Sequence, residues 1–216
     1  MNHSLFQCAF VLLGVCLTWQ NESFASSANW QALREGGRNA CEKGQYAEAE
    51  SMYERSLSIL EKSTGENSHA VDVMEELARV YFQDKKYPQA EALCQNAMSK
   101  LKNKYVPHTL VSLLGDCCLK KGNYNAAAPL YEQELGCEIA HDPPVAASPV
   151  VATDMDRLAD AYEGQRRFSE AAPLRKRYFE ARKQVPWDKE NLELARDKYA
   201  DLLRRLGRDQ EANDLK

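Results

Sequence analysis

Apolar and small side chains return along this chain at the spacing of one helical face, most clearly from Val71 to Met98, VDVMEELARVYFQDKKYPQAEALCQNAM. The first half lines up Met74, Leu77, Ala78 and Tyr81, and the second half Ala90, Leu93, Cys94 and Ala97, which predicts two amphipathic helices. The QDKKYP segment between them is short and polar, and Pro88 falls where the second helix opens, a position at which a missing N–H costs nothing. A helix–turn–helix hairpin is therefore expected.

The same pattern recurs. With Tyr87 as marker, Ala90 follows at three residues and Ala78 precedes at nine. The frame reappears at Tyr46 with Gly37, Ala49, Tyr53 and Leu57, and at Tyr124 with Gly115, Ala127, Tyr131 and Leu135. A fourth copy has Phe168 with Ala159, Tyr162 and Ala171, and a fifth keeps Ala200 and Ala212 with Asp209 at the aromatic place. The marker spacings are 41, 37, 44 and 41. Small residues in both helices predict a close approach, which large side chains would prevent. The aromatic covers the turn, and Gly44 and Gly122 are expected to supply positive φ at the bend. The pattern puts Pro129 and Pro173 in the first turns of their helices, where proline is tolerated. The segment HDPPVAASPVV, His141 to Val151, holds three prolines and reads as an extended linker.

The five phased copies resemble tetratricopeptide repeats, and their length resembles the extended repeats of kinesin light chains. The linker EKSTGENSHAV, from Glu61 to Val71, and the second helices YAEAESMYERSL and AAAPLYEQEL carry that resemblance. It implies an all-α fold, a right-handed superhelical solenoid of about five helix–turn–helix hairpins, covering 29–216. The repeats fall at about 30–62, 69–101, 108–140, 150–184 and 190–216. It further implies a concave wall built from the first helices.

Before the repeats lies Leu5 to Leu17, an uncharged apolar run, followed by polar TWQNES and small-residue FASSA. That order reads as a secretory signal peptide over 1–25, cut after Ala25 with Ser23 and Ala25 as the small pair. The run is short against the roughly 20 residues of a spanning helix. An exported mature chain, periplasmic or extracellular, with no membrane segment is expected. Cys8, Cys16 and Glu22 leave with the signal, which moves the net charge from −4 to −3. The remaining Cys41, Cys94, Cys117, Cys118 and Cys137 are odd in number and contain no CxxC. Cys94 and Cys118 fall on apolar faces and read as small buried hydrophobes. A charge so close to zero carries no electrostatic footprint of nucleic-acid binding.

GxSxG, HExxH, Walker and GxGxxG signatures are absent from the sequence. Cys137 and His141 stand at helical spacing, but two ligands are too few for zinc. Neither enzyme activity nor a metal or cofactor is expected. His69 and His108 open helices and read as local hydrogen-bonding groups, and Glu75–Glu76 and Asp154–Asp156 as solvated faces. The resemblance assigns to the inner wall Arg34 and Arg38, then Glu75, Arg79 and Phe82, then Ser112, Asp116 and Leu119, then Asp156 and Asp160, then Asp197, Asp201 and Arg204. This wall runs from basic to acidic, with Phe82 and Leu119 apolar and exposed between. A peptide or partner helix in that groove is the leading expectation: an acidic portion by the arginines, an apolar anchor at the centre, a basic portion by the aspartates. The carboxylate clamp that holds chaperone tails in this family is not matched, because Glu75 and Ser112 stand where further donors are needed. The alternative is self-association, a homodimer through the C-terminal hairpin.

Overall fold

A computed structural model describes residues 29–62, 67–101, 105–139, 149–185 and 188–215. The signal-peptide segment lies outside them, as do His141 and the side chain of Cys137. The described residues are helical: α1 (29–42), α2 (Tyr46–Lys62), α3 (Asn67–Gln83), α4 (Tyr87–Lys100), α5 (His108–Lys120), α6 (Tyr124–Ile139), α7 (Pro149–Gly164), α8 (Phe168–Lys183), α9 (Lys189–Arg205) and the short α10 (Asp209–Asn213). No strand occurs among them. Consecutive pairs form hairpins. The chain divides into two compact units at Asn103/Lys104, with α1 to α4 in the first and α5 to α10 in the second.

Each hairpin closes on a small residue of its first helix. Ala78 and Ala159 are fully buried and Ala200 nearly so, and the answering Ala49, Ala90, Ala127 and Ala171 are fully buried as well. Gly37 and Gly115 stand where the approach is tightest. A Cβ on Gly37 would lie 2.9 Å from the ring of Tyr53, and one on Gly115 only 2.6 Å from Cζ of Tyr131. Each large buried tyrosine therefore occupies the space that a glycine leaves open. Gly164 does the same for Tyr124, whose ring would meet a Cβ there at 2.3 Å. In the second unit, Leu135, Met155, Leu158 and Leu202 join Ala127 and Tyr131 in one core, and Tyr178, Phe179, Tyr199 and Leu203 form a second cluster beside α10.

Five turns share one geometry. At Gly44, Lys85, Gly122, Arg166 and Gly207 the backbone takes positive φ between 60° and 72°. Around each, two hydrogen bonds close the helix end: Lys86 N–H to Tyr81 C=O at 2.8 Å and Lys85 N–H to Phe82 C=O at 3.0 Å, with equivalents at the other four turns. This is the Schellman arrangement, which satisfies carbonyls that a helix end otherwise leaves open. The residue that follows opens the second helix, and its carbonyl accepts from the small residue's amide, as Lys86 does from Ala90 at 3.1 Å.

Three expectations are corrected. α6 begins at Tyr124 and α8 at Phe168, so Pro129 and Pro173 lie inside their helices rather than in the first turn. Both prolines are exposed, so the carbonyls they leave without a helical donor lie near solvent. Further, Pro149 opens α7, so the last three residues of the proline-rich stretch are helical; proline at a helix start loses no bond. Its earlier prolines lie outside the described residues.

Lys85 and Arg166 hold a conformation that costs a residue with a Cβ about 1–2 kcal/mol. Lys85→Gly and Arg166→Gly should each raise stability by about 0.5–1 kcal/mol after glycine's greater unfolded-state entropy is subtracted. Gly122→Ala should lower it by about 1–2 kcal/mol. Urea unfolding followed by circular dichroism measures all three, and a fall in midpoint for Lys85→Gly contradicts the assignment.

Candidate functional site

The charged residues of the first helices form ladders between successive hairpins. In the first unit, Glu76 on α3 receives two guanidinium groups from α1: Arg34 at 2.8 Å and Arg38 at 2.5 Å. Burial pushes the Glu76 carboxyl upward, and the hydrogen bonds and charges of Arg34 and Arg38 outweigh it, holding it below its ordinary value of 4.5. Beside this clamp Arg79 pairs with Glu75 at 2.8 Å along α3. Phe82 is half-buried, its ring 5.5 Å from that of Tyr87.

The second unit uses the same register with the signs exchanged. Lys198 on α9 reaches Asp156 at 2.9 Å and Asp160 at 3.4 Å on α7, at the 42- and 38-residue separations that join Arg34 and Arg38 to Glu76. Between α5 and α7, Arg157 holds Asp116 at 2.9 Å, and Tyr131 donates to the same carboxylate at 2.7 Å. Burial nevertheless keeps the Asp116 carboxyl above its ordinary value.

Arg175 on α8 is the group that sequence reasoning missed. It stands where Tyr53 and Tyr131 stand in their hairpins, seven residues after the marker, and is only 2% exposed. Its guanidinium meets Asp156, Asp160 at 2.5 Å and Glu163 at 2.7 Å. Burial works against its charge, and the carboxylates of Asp160, Asp156 and Glu163 more than offset that, raising its pKa. The signal was present in the repeat: a charged residue in a buried tyrosine's place demands buried counter-charges, and Asp156 and Asp160 lie opposite on α7.

His108 makes the expected local contact, with Ser112 Oγ one turn on at 3.3 Å, and it also reaches other helices. From α5 it contacts Glu134 on α6 and lies 3.3 Å from Asp154 on α7. Asp154, expected on a solvated face, is 2% exposed. Its burial raises the carboxyl's pKa despite the nearby charges of His108 and Arg157. His69 instead stacks on Trp30, ring centroids 5.0 Å apart.

The residues expected to meet a partner therefore differ in availability. Arg34, Asp116, Asp156 and Asp160 are engaged in pairs between helices. Arg38 and Arg79 remain about half exposed while paired, and Asp201 is exposed beside Arg204 at 2.9 Å. Glu75 is mostly covered. Leu119 packs against the second unit's core rather than standing free, and Phe82 is likewise half-buried. In the first unit Arg34, Arg38 and Arg79 pair with Glu75 and Glu76; in the second, Arg157, Arg175 and Lys198 pair with Asp116, Asp156, Asp160 and Glu163, and the exposed Arg196, Arg204 and Arg205 stand beside Asp197, Asp201 and Glu163. Among the described residues no group of three His, Cys, Asp or Glu side chains could hold a metal ion, and no helix is long and apolar enough to cross a membrane.

Two family models match the chain, both described as tetratricopeptide repeat, over residues 31–98 and 109–145. Each of the two compact units carries tetratricopeptide repeats. Solved structures share the fold. Nearly identical TPR-like repeats of a kinesin light chain from Podosopora anserina superpose with a TM-score of 0.70 at 19% identity, over 86% of this chain and 90% of that one. A double mutant of MamA RS-1 gives 0.67 at 13%, over 86% and 89%. BtubC (BKLC) from P. vanneervenii gives 0.63 at 15%, over 90% and 86%. No curated protein matches by sequence. Within each unit the charge ladders join first helices: α1 to α3 in the first, and α5 to α7 and α7 to α9 in the second.

Two measurements test the ladders. Arg175→Ala empties a buried site and leaves the half-buried Asp156 and Glu163 short of a cation, and should cost about 3–5 kcal/mol, with Asp156→Asn and Asp160→Asn in the same chain recovering part of it. The lowered pKa of Glu76 means that folding favours its ionised form. Its contribution is complete above the unfolded value and is lost as pH falls through the folded one. The urea midpoint of the parent chain should exceed that of Glu76→Gln at neutral pH, and the gap should shrink as pH falls below about 4.5. A gap that persists unchanged to about pH 3 contradicts the clamp.

Proposed function

We propose that this chain is a non-enzymatic protein–protein interaction scaffold, exported through its N-terminal segment, whose first-helix faces bind a peptide or partner helix. The repeat fold supports the scaffold reading, and the unequal charge left after internal pairing supports the direction of binding. The face of α1 and α3 keeps a cationic surplus, with Arg38 47% and Arg79 51% exposed. The α5, α7 and α9 side presents carboxylates that include Asp201, 67% exposed. Acidic segments of a partner then suit the first unit's face, and basic segments suit the second unit's face. Such charges act mainly on encounter rate and orientation. Phe82 and Leu119 contribute apolar contact at the edge of this surface rather than freely standing anchors.

Reversing Arg34 would break the Glu76 clamp and confuse folding with binding, so the informative variant carries Arg79→Glu and Phe82→Ala. Affinity capture from the exported fraction of the protein's own cells, followed by mass spectrometry, should recover a partner with the parent chain and lose it with the variant. Helical circular dichroism should be unchanged. Equal capture by both chains contradicts the reading. Amino-terminal sequencing of the exported protein should begin at Ser26; an intact Met1 in that fraction removes the cleaved-signal reading.

One exposed side chain favours the second reading, self-association through the C-terminal hairpin: Leu194 on α9 is 50% exposed. Sedimentation over a range of concentrations should show a dimer that Leu194→Glu disrupts, and a strict monomer dismisses it.

A further inference from the structure

The second unit carries a groove away from the first-helix charges. It lies between α6 and α8 over part of α7, with a volume of about 700 Å³, within the range of about 300–1,000 Å³ typical of ligand sites. Leu135, Leu158, Leu174 and Pro173 give it an apolar floor. Gly136 opens one wall, since a Cβ there would meet nothing within 4 Å. In α2 and α8 the same register place holds Ser58 and Glu180, so a side chain is the ordinary occupant and glycine widens the groove here.

The polar groups at its edge are unequal. Glu132 accepts a hydrogen bond from the Tyr162 hydroxyl at 2.8 Å. Glu170 is held by two Arg167 nitrogens at 2.8 and 2.5 Å, and the Arg167 guanidinium lies 4.1 Å from the Tyr162 ring centroid. Arg167 thus neutralises Glu170, whereas Glu132, held by a neutral hydroxyl, keeps its charge on α6, across the groove from Arg177 on α8. Arg177 is exposed, lines the groove, and has no ion-pair partner among the described residues. Pro173 adds an acceptor: having no N–H, it leaves the carbonyl of Ser169, one turn earlier and also in the groove wall, without its helical donor. An apolar floor, one open backbone acceptor and one unpaired guanidinium match a peptide that offers an aliphatic side chain, an N–H and a carboxylate.

We infer that this groove docks an acidic peptide segment of a partner protein, seating a leucine-sized side chain between α6 and α8 and a carboxylate on Arg177. The surface is built on second helices, so it stands or falls independently of binding at the first-helix faces.

The test is selection of a random dodecapeptide phage library on the full chain, followed by fluorescence anisotropy with a fluorescein-labelled synthetic peptide of the enriched sequence. Enrichment of an aliphatic residue beside Asp or Glu is expected. Binding should weaken about tenfold or more in Gly136→Trp, which fills the groove, and in Arg177→Glu, which should recover affinity for the peptide with Lys in place of its acid. Arg79→Glu with Phe82→Ala should leave it unchanged. Arg177 is on the surface, so Arg177→Glu decides the matter if Gly136→Trp fails to fold. No enrichment, enriched sequences without an acid, or equal binding by Arg177→Glu overturns the inference.

Discussion

The close approach of two helices within each hairpin is the constraint on which the rest of this molecule depends. Glycine or alanine on the first helix lets the second helix come near enough to press a tyrosine or alanine against its backbone, and the left-handed turn residue sets the angle at which it arrives. Once that approach is fixed, every other side chain of a hairpin has a fixed address relative to the next hairpin of the same unit. The charge ladders follow from this. Arg34 and Arg38 can both reach Glu76 because their helix faces α3 in one register, and the same register delivers Lys198 to Asp156 and Asp160. A slip of one residue would turn these groups away from their partners. Exposed pairs of this kind contribute little energy each, about 0–1 kcal/mol.

Much of this architecture can be seen in the residues. The small positions, the aromatic before the second helix and the glycines at two turns mark each hairpin because glycine and proline carry their conformational meaning openly. Lys85 and Arg166 do not: their side chains advertise a solvated surface, and only their place in the repeat shows that they must adopt glycine's conformation. The start of α7 was hidden for the opposite reason. Pro149 looks like a helix breaker, yet at the first helical position it breaks nothing. For the site, sequence identifies which residues lie on the first helices but not which of them are already engaged. Their partners are some forty residues away, beyond any local pattern. A search for opposite charges at separations of 38 and 42 residues would have found both ladders.

Arg175 shows what burial does to a charge that the repeat places in a tyrosine's position. A lone buried guanidinium would cost several kcal/mol; here Asp156, Asp160 and Glu163 surround it, and Lys198 then balances the carboxylates. The consequence for recognition is subtractive. Carboxylates that look, from their sequence, like a docking surface for a basic partner are largely committed to holding α7, α8 and α9 together. What stays accessible on these helices is Arg38, Arg79 and Asp201, each about half exposed or more within its pair.

First and second helices thus divide the work by physical means. The first helices face one another across hairpins and must neutralise each other's charges, so their surface is costly to alter without disturbing the stack. Second helices are freer at their outward edges. There Gly136 and Pro173 each depart from the best helical residue, one giving up a side chain and the other a hydrogen bond. Both departures line the same groove. Helix stability would favour alanine at both places, and nothing in the packing of the hairpin requires either residue. Two unfavourable choices that open one apolar cleft beside an unpaired arginine are better accounted for by what the cleft receives than by the stability of the helices that form it.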